Sequence, residues 1–147
     1  MPLGDGDEIR NLLGRYCDLI DAGDFEGVGG LFAEGTLADD RGRPLAAGAE
    51  AVAAFYAGST RRHGATPRTK HVVANTVLEE GDDGSITARS SYLVLQATDD
   101  LPFQPIITGR YVDRFERGDD GRWRFAERRF FVDLHGELGH HLNLPLD

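Results

Sequence analysis

Residues 69–75, which read TKHVVAN, lie where the apolar periodicity of the chain changes. Before this stretch apolar residues recur every three or four positions, as in amphipathic helices, and after it they alternate every second position, as in strands. The stretch itself is predicted to be a strand. Because side chains along a strand point alternately to opposite faces, His71, Val73 and Asn75 are predicted to share one face, which we interpret as the wall of a pocket.

Three helices are predicted before this strand, over residues 7–20, 24–32 and 49–59. Apolar residues at helical spacing define the first helix, and Asp24 is a natural N-cap for the second. Leu37 and Ala38 are predicted to form a short strand, and residues 39–44, which read DDRGRP, to form a turn.

Strand periodicity dominates the rest of the chain. Four strands are predicted, over residues 69–79, 85–97, 106–117 and 122–134. Two segments that read GDDG, at residues 81–84 and 118–121, have the composition of tight hairpin turns, which predicts a sequential antiparallel meander. The expected fold class is α+β, a cone-shaped barrel in which the N-terminal helices pack into a curved antiparallel sheet and leave a pocket.

Length and composition limit the possible functions. A chain of 147 residues fits one domain, predicted over residues 1–147, and no apolar run reaches the roughly 18 residues of a membrane span. The net charge of −9 argues against a nucleic-acid partner. The N-terminus lacks the basic and apolar segments of a secretory signal, so a cytoplasmic location without a membrane partner is expected.

Cysteine and histidine usage bears on metals and cofactors. Cys17 is the only cysteine, which excludes an internal disulfide and a multi-cysteine zinc site. His135, His140 and His141 are close in sequence, but adjacent histidines of a strand point apart, so no metal site is expected there. The sequence has no phosphate-binding glycine loop and no serine-hydrolase motif, and no cofactor is predicted.

His71 is the candidate general base, because an imidazole with its ordinary pKa of about 6.5 can accept a proton at neutral pH. Asp21, at the end of the first predicted helix, is the carboxylate that we expect to hold one ring nitrogen and to leave the other available. From the residues alone an alternative stays open, in which His71 is a hydrogen-bonded core histidine and Asp21 is a polar residue at a helix end.

Other polar side chains are candidates for substrate contacts. Arg110 has five donors suited to a carbonyl or carboxylate oxygen, or else it is a surface cation paired across the sheet. Arg129 shares the predicted inner face of the last strand with Phe125, or else it pairs with a neighbouring carboxylate. Tyr16 is equally suited to packing in the core. Hydroxyl and amide donors to a substrate oxygen are predicted at Tyr16, Tyr56, Tyr92 and Asn75.

The order and spacing of several short motifs resemble the SnoaL-like branch of the nuclear transport factor 2-like superfamily. The motifs comprise Tyr16 with Asp21, DF at residues 24–25, LFA at 31–33, KHVVAN at 70–75, GRYVD at 109–113 and DGRWRF at 120–125. The chain looks most like the group of scytalone dehydratase and hexachlorocyclohexane dehydrochlorinase. This resemblance implies a helix aspartate that holds a catalytic strand histidine, and Asp21 and His71 match those two positions.

The resemblance also bears on the lining of the pocket. It implies that Arg110 lies there. Ile20 stands where the dehydratase has a pocket tyrosine, and Ser90 stands near the position of its second pocket histidine. The substrate contacts are therefore expected to differ from those of the dehydratase, with Ser90 among the candidate substrate-binding residues.

These observations predict a small-molecule lyase or isomerase, of dehydratase or cyclase type, that uses an Asp21–His71 general-base dyad in an apolar pocket without a cofactor. The expected substrate is an apolar small molecule, and the superfamily resemblance implies a homodimer or homotrimer. Two alternatives stay open. One is a non-catalytic ligand-binding or assembly module, and the other is the small subunit of a ring-hydroxylating dioxygenase.

Overall fold

The computed structural model describes residues 1–143 and has three helices and six strands in that range. The helices are α1 (Asp5–Asp21), α2 (Phe25–Leu31) and α3 (Ala49–Ser59). The strands are β1 (Thr36–Ala38), β2 (Pro44–Ala47), β3 (Thr69–Glu80), β4 (Ile86–Gln96), β5 (Gln104–Arg117) and β6 (Trp123–His135). The predicted α+β class is confirmed. The predicted domain extends to Asp147, and its last four residues lie outside the described part of the chain.

The helices form where the sequence provides an apolar stripe and a cap. Residues buried along α1 follow helical spacing: Ile9, Leu12, Leu13, Tyr16, Cys17 and Ile20. Gly23 follows α1 with a φ of 72°, a left-handed conformation that favours glycine and ends the helix. Asp24 then caps α2 by accepting a hydrogen bond from the backbone N–H of Gly27 at 2.8 Å. No helix within residues 1–143 is long and apolar enough to cross a membrane.

The six strands form one sheet in the order β2-β1-β6-β5-β4-β3. The four long strands are the predicted antiparallel meander, whereas β1 lies parallel to β6. The predicted turn at residues 39–44 connects β1 to β2, and only its last residue, Pro44, belongs to β2. The two strands pair antiparallel, with Thr36 opposite Ala47. The cone is open, because β2 and β3 remain edge strands of the curved sheet.

A β-bulge in β3 changes which residues point inward. Asn75 lies in this bulge with a φ of 55°, a conformation that asparagine tolerates better than most residues. His71 and Val73 precede the bulge on the inner face, and Thr76 follows it on the same face. Asn75 is exposed instead, so the prediction that it shares the inner face with His71 is wrong.

A second bulge, in β6, has the same effect. Ala126 is its extra residue, because Phe125 and Glu127 pair with adjacent residues of β5. Beyond the bulge Arg128 points into the core, and Arg129 lies on the other face. The prediction that Arg129 continues the inner face of Phe125 is therefore wrong, because the alternation along β6 changes phase between the two residues.

The side chain that β6 turns inward makes a buried ion pair with β5. The Nε and Nη2 atoms of Arg128 donate to the two carboxylate oxygens of Asp113 at 2.7 and 2.9 Å, and both side chains are 0% exposed. The guanidinium carbon lies 3.6 Å from the ring centroid of Tyr111 and 4.1 Å from that of Tyr16. This pair ties the middle of the sheet to α1.

Candidate active site

A cavity of about 540 Å³ lies between the helices and the concave face of the sheet. Its wall is mainly aromatic and aliphatic, with polar groups from α1, α3, β3 and the segment after β6. Further polar groups come from the loop after β1 and from the end of β6, namely Asp39, Asp40, Asp133 and His135. The lining residues that matter below are Tyr16, Ile20, Tyr56, His71, Tyr92, Tyr111, Phe130 and His141. A volume of this size with few polar groups is typical of a small-molecule site.

His71 lies on the wall of this cavity, and Asp21 contacts its ring from behind the wall. Asp21 is the last residue of α1, and His71 is the third residue of β3. The Nδ1 atom of His71 lies 2.6 Å from Oδ1 of Asp21. The same carboxylate accepts the backbone N–H of His71 at 2.9 Å and the hydroxyl of Thr69 at 2.8 Å. These three bonds fix the carboxylate against the start of β3 and fix the orientation of the imidazole.

The electrostatics of the pair favour a charged carboxylate. Burial works against ionisation of Asp21, but its hydrogen bonds and charge interaction with His71, with the Thr69 bond, outweigh burial and lower the pKa of the carboxyl. An ionised carboxylate only accepts hydrogen bonds, so Nδ1 of His71 carries the hydrogen. In the neutral ring Nε2 then holds the lone pair, and it has no hydrogen-bond partner among residues 1–143.

Two predicted tyrosines also lie together on the cavity wall. The hydroxyl groups of Tyr16 and Tyr56 are hydrogen-bonded to each other, and both side chains are buried. Burial raises the pKa of both hydroxyls, so both are protonated at neutral pH. Tyr92 also lines the cavity, but its hydroxyl donates to the backbone carbonyl of Phe131 at 2.8 Å.

The predicted arginines are not part of the cavity wall. Arg110 lies on the outer face of β5, with 53% of its side chain exposed, and it pairs with Asp133 at 3.1 Å. Arg129 donates to the backbone carbonyl of Asp40 at 2.7 Å. Neither of them is a lining residue of the cavity. The inner face of β5 is instead formed by Gly109, Tyr111 and Asp113, because strand alternation places Arg110 on the opposite face.

Asn75 and Ser90 also lie away from the cavity wall. Asn75 is exposed in the β3 bulge. Ser90 is buried on the concave face of β4, where its hydroxyl lies 3.1 Å from that of Thr76. Its hydrogen bond is thus made within the sheet, beyond the residues that line the cavity. The resemblance made Ser90 a candidate substrate-binding residue, and Ser90 is not among the residues that line the cavity.

His141 is a cavity residue that the sequence did not single out as one. It lies after β6, where the sequence has no periodicity that could assign it to a face. The residue is 6% exposed, and its ring centroid lies 5.9 Å from that of His71. Burial, followed by the charge of His71, lowers the pKa of His141 to about 4. The adjacent pair of histidines at the end of the chain is the only signal that could have pointed to it.

The described residues suggest neither a metal centre nor a cysteine nucleophile. Within residues 1–143, no three His, Cys, Asp or Glu side chains are arranged to hold a metal ion. Burial raises the pKa of the Cys17 thiol to about 11, so the thiol is protonated at neutral pH.

Comparison with known proteins defines the class of this protein. The family of SnoaL-like domains matches residues 2–129, and the chain belongs to that family, as the motifs predicted. An Asp-to-Asn variant of Rv3472, a protein of unknown function from Mycobacterium tuberculosis, is similar at 29% identity. The match covers 88% of this chain and 76% of that chain, with a TM-score of 0.70.

Two further solved structures are similar over most of their length. ActVI-ORFA from Streptomyces coelicolor is 25% identical over 89% of this chain and 98% of that chain, with a TM-score of 0.71. An NTF2-like protein with a cystatin-like fold from Novosphingobium aromaticivorans is 25% identical over 87% of this chain and 81% of that chain, with a TM-score of 0.69. The predicted superfamily is confirmed.

Proposed function

We propose that this protein is a cofactor-free lyase or isomerase, of dehydratase or cyclase type, in which His71 is the general base. The observation that carries the proposal is the 2.6 Å contact between Nδ1 of His71 and the Asp21 carboxylate on the wall of an apolar cavity. Membership of the SnoaL-like family supports an enzyme of this kind. Elimination, double-bond migration and cyclisation can all begin with removal of a proton from carbon.

The first step of the reaction is proton transfer to Nε2 of His71. The proton comes from a carbon next to a carbonyl group, and the electron pair of the broken C–H bond moves towards the carbonyl oxygen to give an enolate. The ring becomes an imidazolium, whose positive charge the ionised Asp21 stabilises through Nδ1–H. Because the carboxylate also binds the backbone of His71, the ring keeps its orientation as its charge changes.

The Tyr16–Tyr56 pair is the proposed donor to the enolate oxygen. Two hydroxyl groups that share one hydrogen bond still have one further hydrogen to donate. Since burial raises the pKa of both groups, they remain donors at the pH where His71 works as a base. A donor aimed at developing negative charge in such a site contributes about 10²–10³ in rate.

The lining indicates the chemical class of the substrate. Within residues 1–143, no arginine or lysine lines the cavity, and Arg110 and Arg129 lie outside it. A carboxylate substrate would therefore lack a charged partner there. We propose a neutral, largely apolar ketone, with fused rings that pack against side chains such as Phe130 and Tyr111. The homodimer or homotrimer and the cytoplasmic location stay predictions.

Hydrogen–deuterium exchange tests the proposed reaction without knowledge of the natural substrate. A panel of neutral bicyclic ketones is incubated in D₂O with the protein, and loss of the α-proton signal is followed by NMR. The wild type is expected to accelerate exchange of at least one ketone, and His71→Phe to return the rate to the buffer background.

His140→Gln is the matched control, because His140 is a neighbour in the fold whose ring does not line the cavity. Its exchange rate is expected to equal that of the wild type. If ketones bind but their exchange is the same in the wild type and in His71→Phe, the protein is a ligand-binding module and the proposed chemistry is wrong.

A further inference from the structure

The segment after β6, residues 136–143, is held by backbone hydrogen bonds to β5 at its start and to the end of α3 and the residues after it. The backbone N–H of Gly136 donates to Ile106 of β5 at 2.8 Å. The carbonyl of His141 accepts the backbone N–H of Arg61 at 2.7 Å, just beyond α3. The backbone N–H of Asn143 donates to Ser59 at 2.8 Å. These bonds hold the backbone of His141 in place, so its ring is a fixed part of the cavity wall.

The two nitrogens of the His141 ring have different surroundings. Nδ1 is buried and has no hydrogen-bond partner among residues 1–143. A buried N–H without a partner is costlier than a bare lone pair, which favours the tautomer with its hydrogen on Nε2. The ring lines the cavity, and only Nδ1 is a buried nitrogen without a partner, from which we infer that Nε2 is the nitrogen that faces the cavity. With a pKa of about 4, the ring is neutral at pH 7.

His71 and His141 therefore present complementary groups to the same cavity. Nε2 of His71 offers a lone pair, because its Nδ1–H is bound to Asp21. Nε2 of His141 offers a hydrogen. The ring centroids are 5.9 Å apart with an interplanar angle of 66°, an edge-to-face arrangement that places the two rings side by side on the cavity wall, so one ligand in the cavity can contact both.

We propose that His141 is a substrate-positioning residue whose Nε2–H binds the oxygen of a neutral ketone while the adjacent C–H faces Nε2 of His71. This inference rests on the proposed function and deepens it. The ligand that fits is a ketone with an acidic hydrogen on the carbon next to the carbonyl. His141 selects which α-hydrogen reaches the base, and the Tyr16–Tyr56 pair remains the partner of the developing charge.

The kinetic test uses 2-tetralone, a bicyclic ketone with acidic α-hydrogens, as the probe in D₂O exchange. His141→Phe keeps a ring of similar size but removes the donor, and we expect exchange to slow by about tenfold, the value of one neutral hydrogen bond. His141→Gln keeps an N–H donor and is expected to stay within about threefold of the wild type. His140→Gln is the matched control and is expected to have the wild-type rate.

A spectroscopic readout separates this inference from the proposed function. Long-range ¹H–¹⁵N NMR of histidine-labelled protein is expected to show His141 at pH 7 as the neutral Nε2–H tautomer, with its Nε2 resonance shifting when 2-tetralone is added. If the wild type does not accelerate exchange but this shift occurs, the proposed function fails and the His141 contact stands. An Nδ1–H tautomer, no shift, or a folded His141→Phe variant with wild-type exchange would overturn the inference.

Discussion

The molecule contains two pairs of a carboxylate and a basic side chain, one closed off in the core and one beside the cavity. Asp113 and Arg128 join β5 to β6 inside the core, with both side chains 0% exposed. Asp21 and His71 join α1 to β3 on the wall of the cavity, with 16% and 7% of their side chains exposed. In the first pair aromatic rings cover the cation, and in the second a ring nitrogen remains for chemistry. The same interaction thus stabilises the fold in one place and supports a candidate reaction in the other.

The chemistry of a guanidinium and of an imidazole explains this division. Burial opposes the charge of Arg128, but the attraction of Asp113 and its hydrogen bonds outweigh burial and raise the pKa of the guanidinium well above its ordinary value. Arg128 therefore keeps its proton at any working pH. An imidazole gains and loses a proton near neutral pH, which is the property that a general base needs.

Breaking the buried pair is expected to have the largest effect on stability. Arg128→Met leaves Asp113 buried without its partner and is expected to lower the free energy of unfolding by about 3–5 kcal/mol. Urea denaturation followed by circular dichroism measures this change. Arg110→Met is the matched control, because it breaks an exposed ion pair and is expected to cost at most about 1 kcal/mol. Equal losses in the two variants would contradict the assigned role of the buried pair.

Breaking the cavity pair is expected to affect the reaction more than the fold. Asp21→Asn removes the charge that orients His71 and stabilises its imidazolium, so ketone exchange is expected to slow by about 10²–10⁴. The free energy of unfolding is expected to fall by about 1–3 kcal/mol through loss of charged hydrogen bonds. Asp82→Asn, at an exposed position in the turn between β3 and β4 and away from the cavity lining, is the matched control. Asp21→Asn with the exchange rate of this control would contradict the role of Asp21.

The sequence predicted the residues of the Asp21–His71 pair but not Arg128 of the buried pair. Helix spacing and strand alternation located α1 and β3, and the resemblance pointed to Asp21 and His71, which the fold brings together. Arg128 was missed because the bulge at Ala126 changes the phase of β6, so alternation from Phe125 selected Arg129 instead. A bulge depends on pairing with the neighbouring strand, and periodicity within one strand does not reveal that pairing.

The free energy of unfolding is expected to depend on pH through His141, the histidine next to the Asp21–His71 pair. Burial lowers the pKa of His141 from 6.5 to about 4, so between these values the unfolded state binds a proton that the folded state does not. The free energy of unfolding is therefore expected to fall by up to about 3 kcal/mol as the pH drops from 6.5 to 4. The titratable groups whose charges act on His141 are Asp21, His63 and His71.

Urea titrations at several pH values measure this loss, and His141→Phe is expected to remove most of it. The contribution of the lowered pKa of Asp21 is lost in a different window, only as the pH falls below the ordinary carboxyl value of 3.8. An unchanged pH profile in His141→Phe would show that another group is responsible.

The smallest predicted effect concerns the bulge that follows the cavity pair along β3. Asn75 has a φ of 55°. An alanine in this left-handed conformation is about 1 kcal/mol less stable than a glycine. Asn75→Ala is expected to lower the free energy of unfolding by about that amount, and Asn75→Gly to leave it nearly unchanged. Thermal or urea unfolding of the two variants decides this. A more stable alanine variant would show that the bulge is not left-handed at this residue.

The tautomer of His71 tests the central claim most directly. Long-range ¹H–¹⁵N NMR of histidine-labelled wild type, at a pH where the ring is neutral, identifies the nitrogen that carries the hydrogen. We expect a protonated Nδ1, bound to Asp21, and a bare Nε2 that faces the cavity. A hydrogen on Nε2 would mean that the base is not available to a substrate, and it would contradict the proposed role of the Asp21–His71 pair.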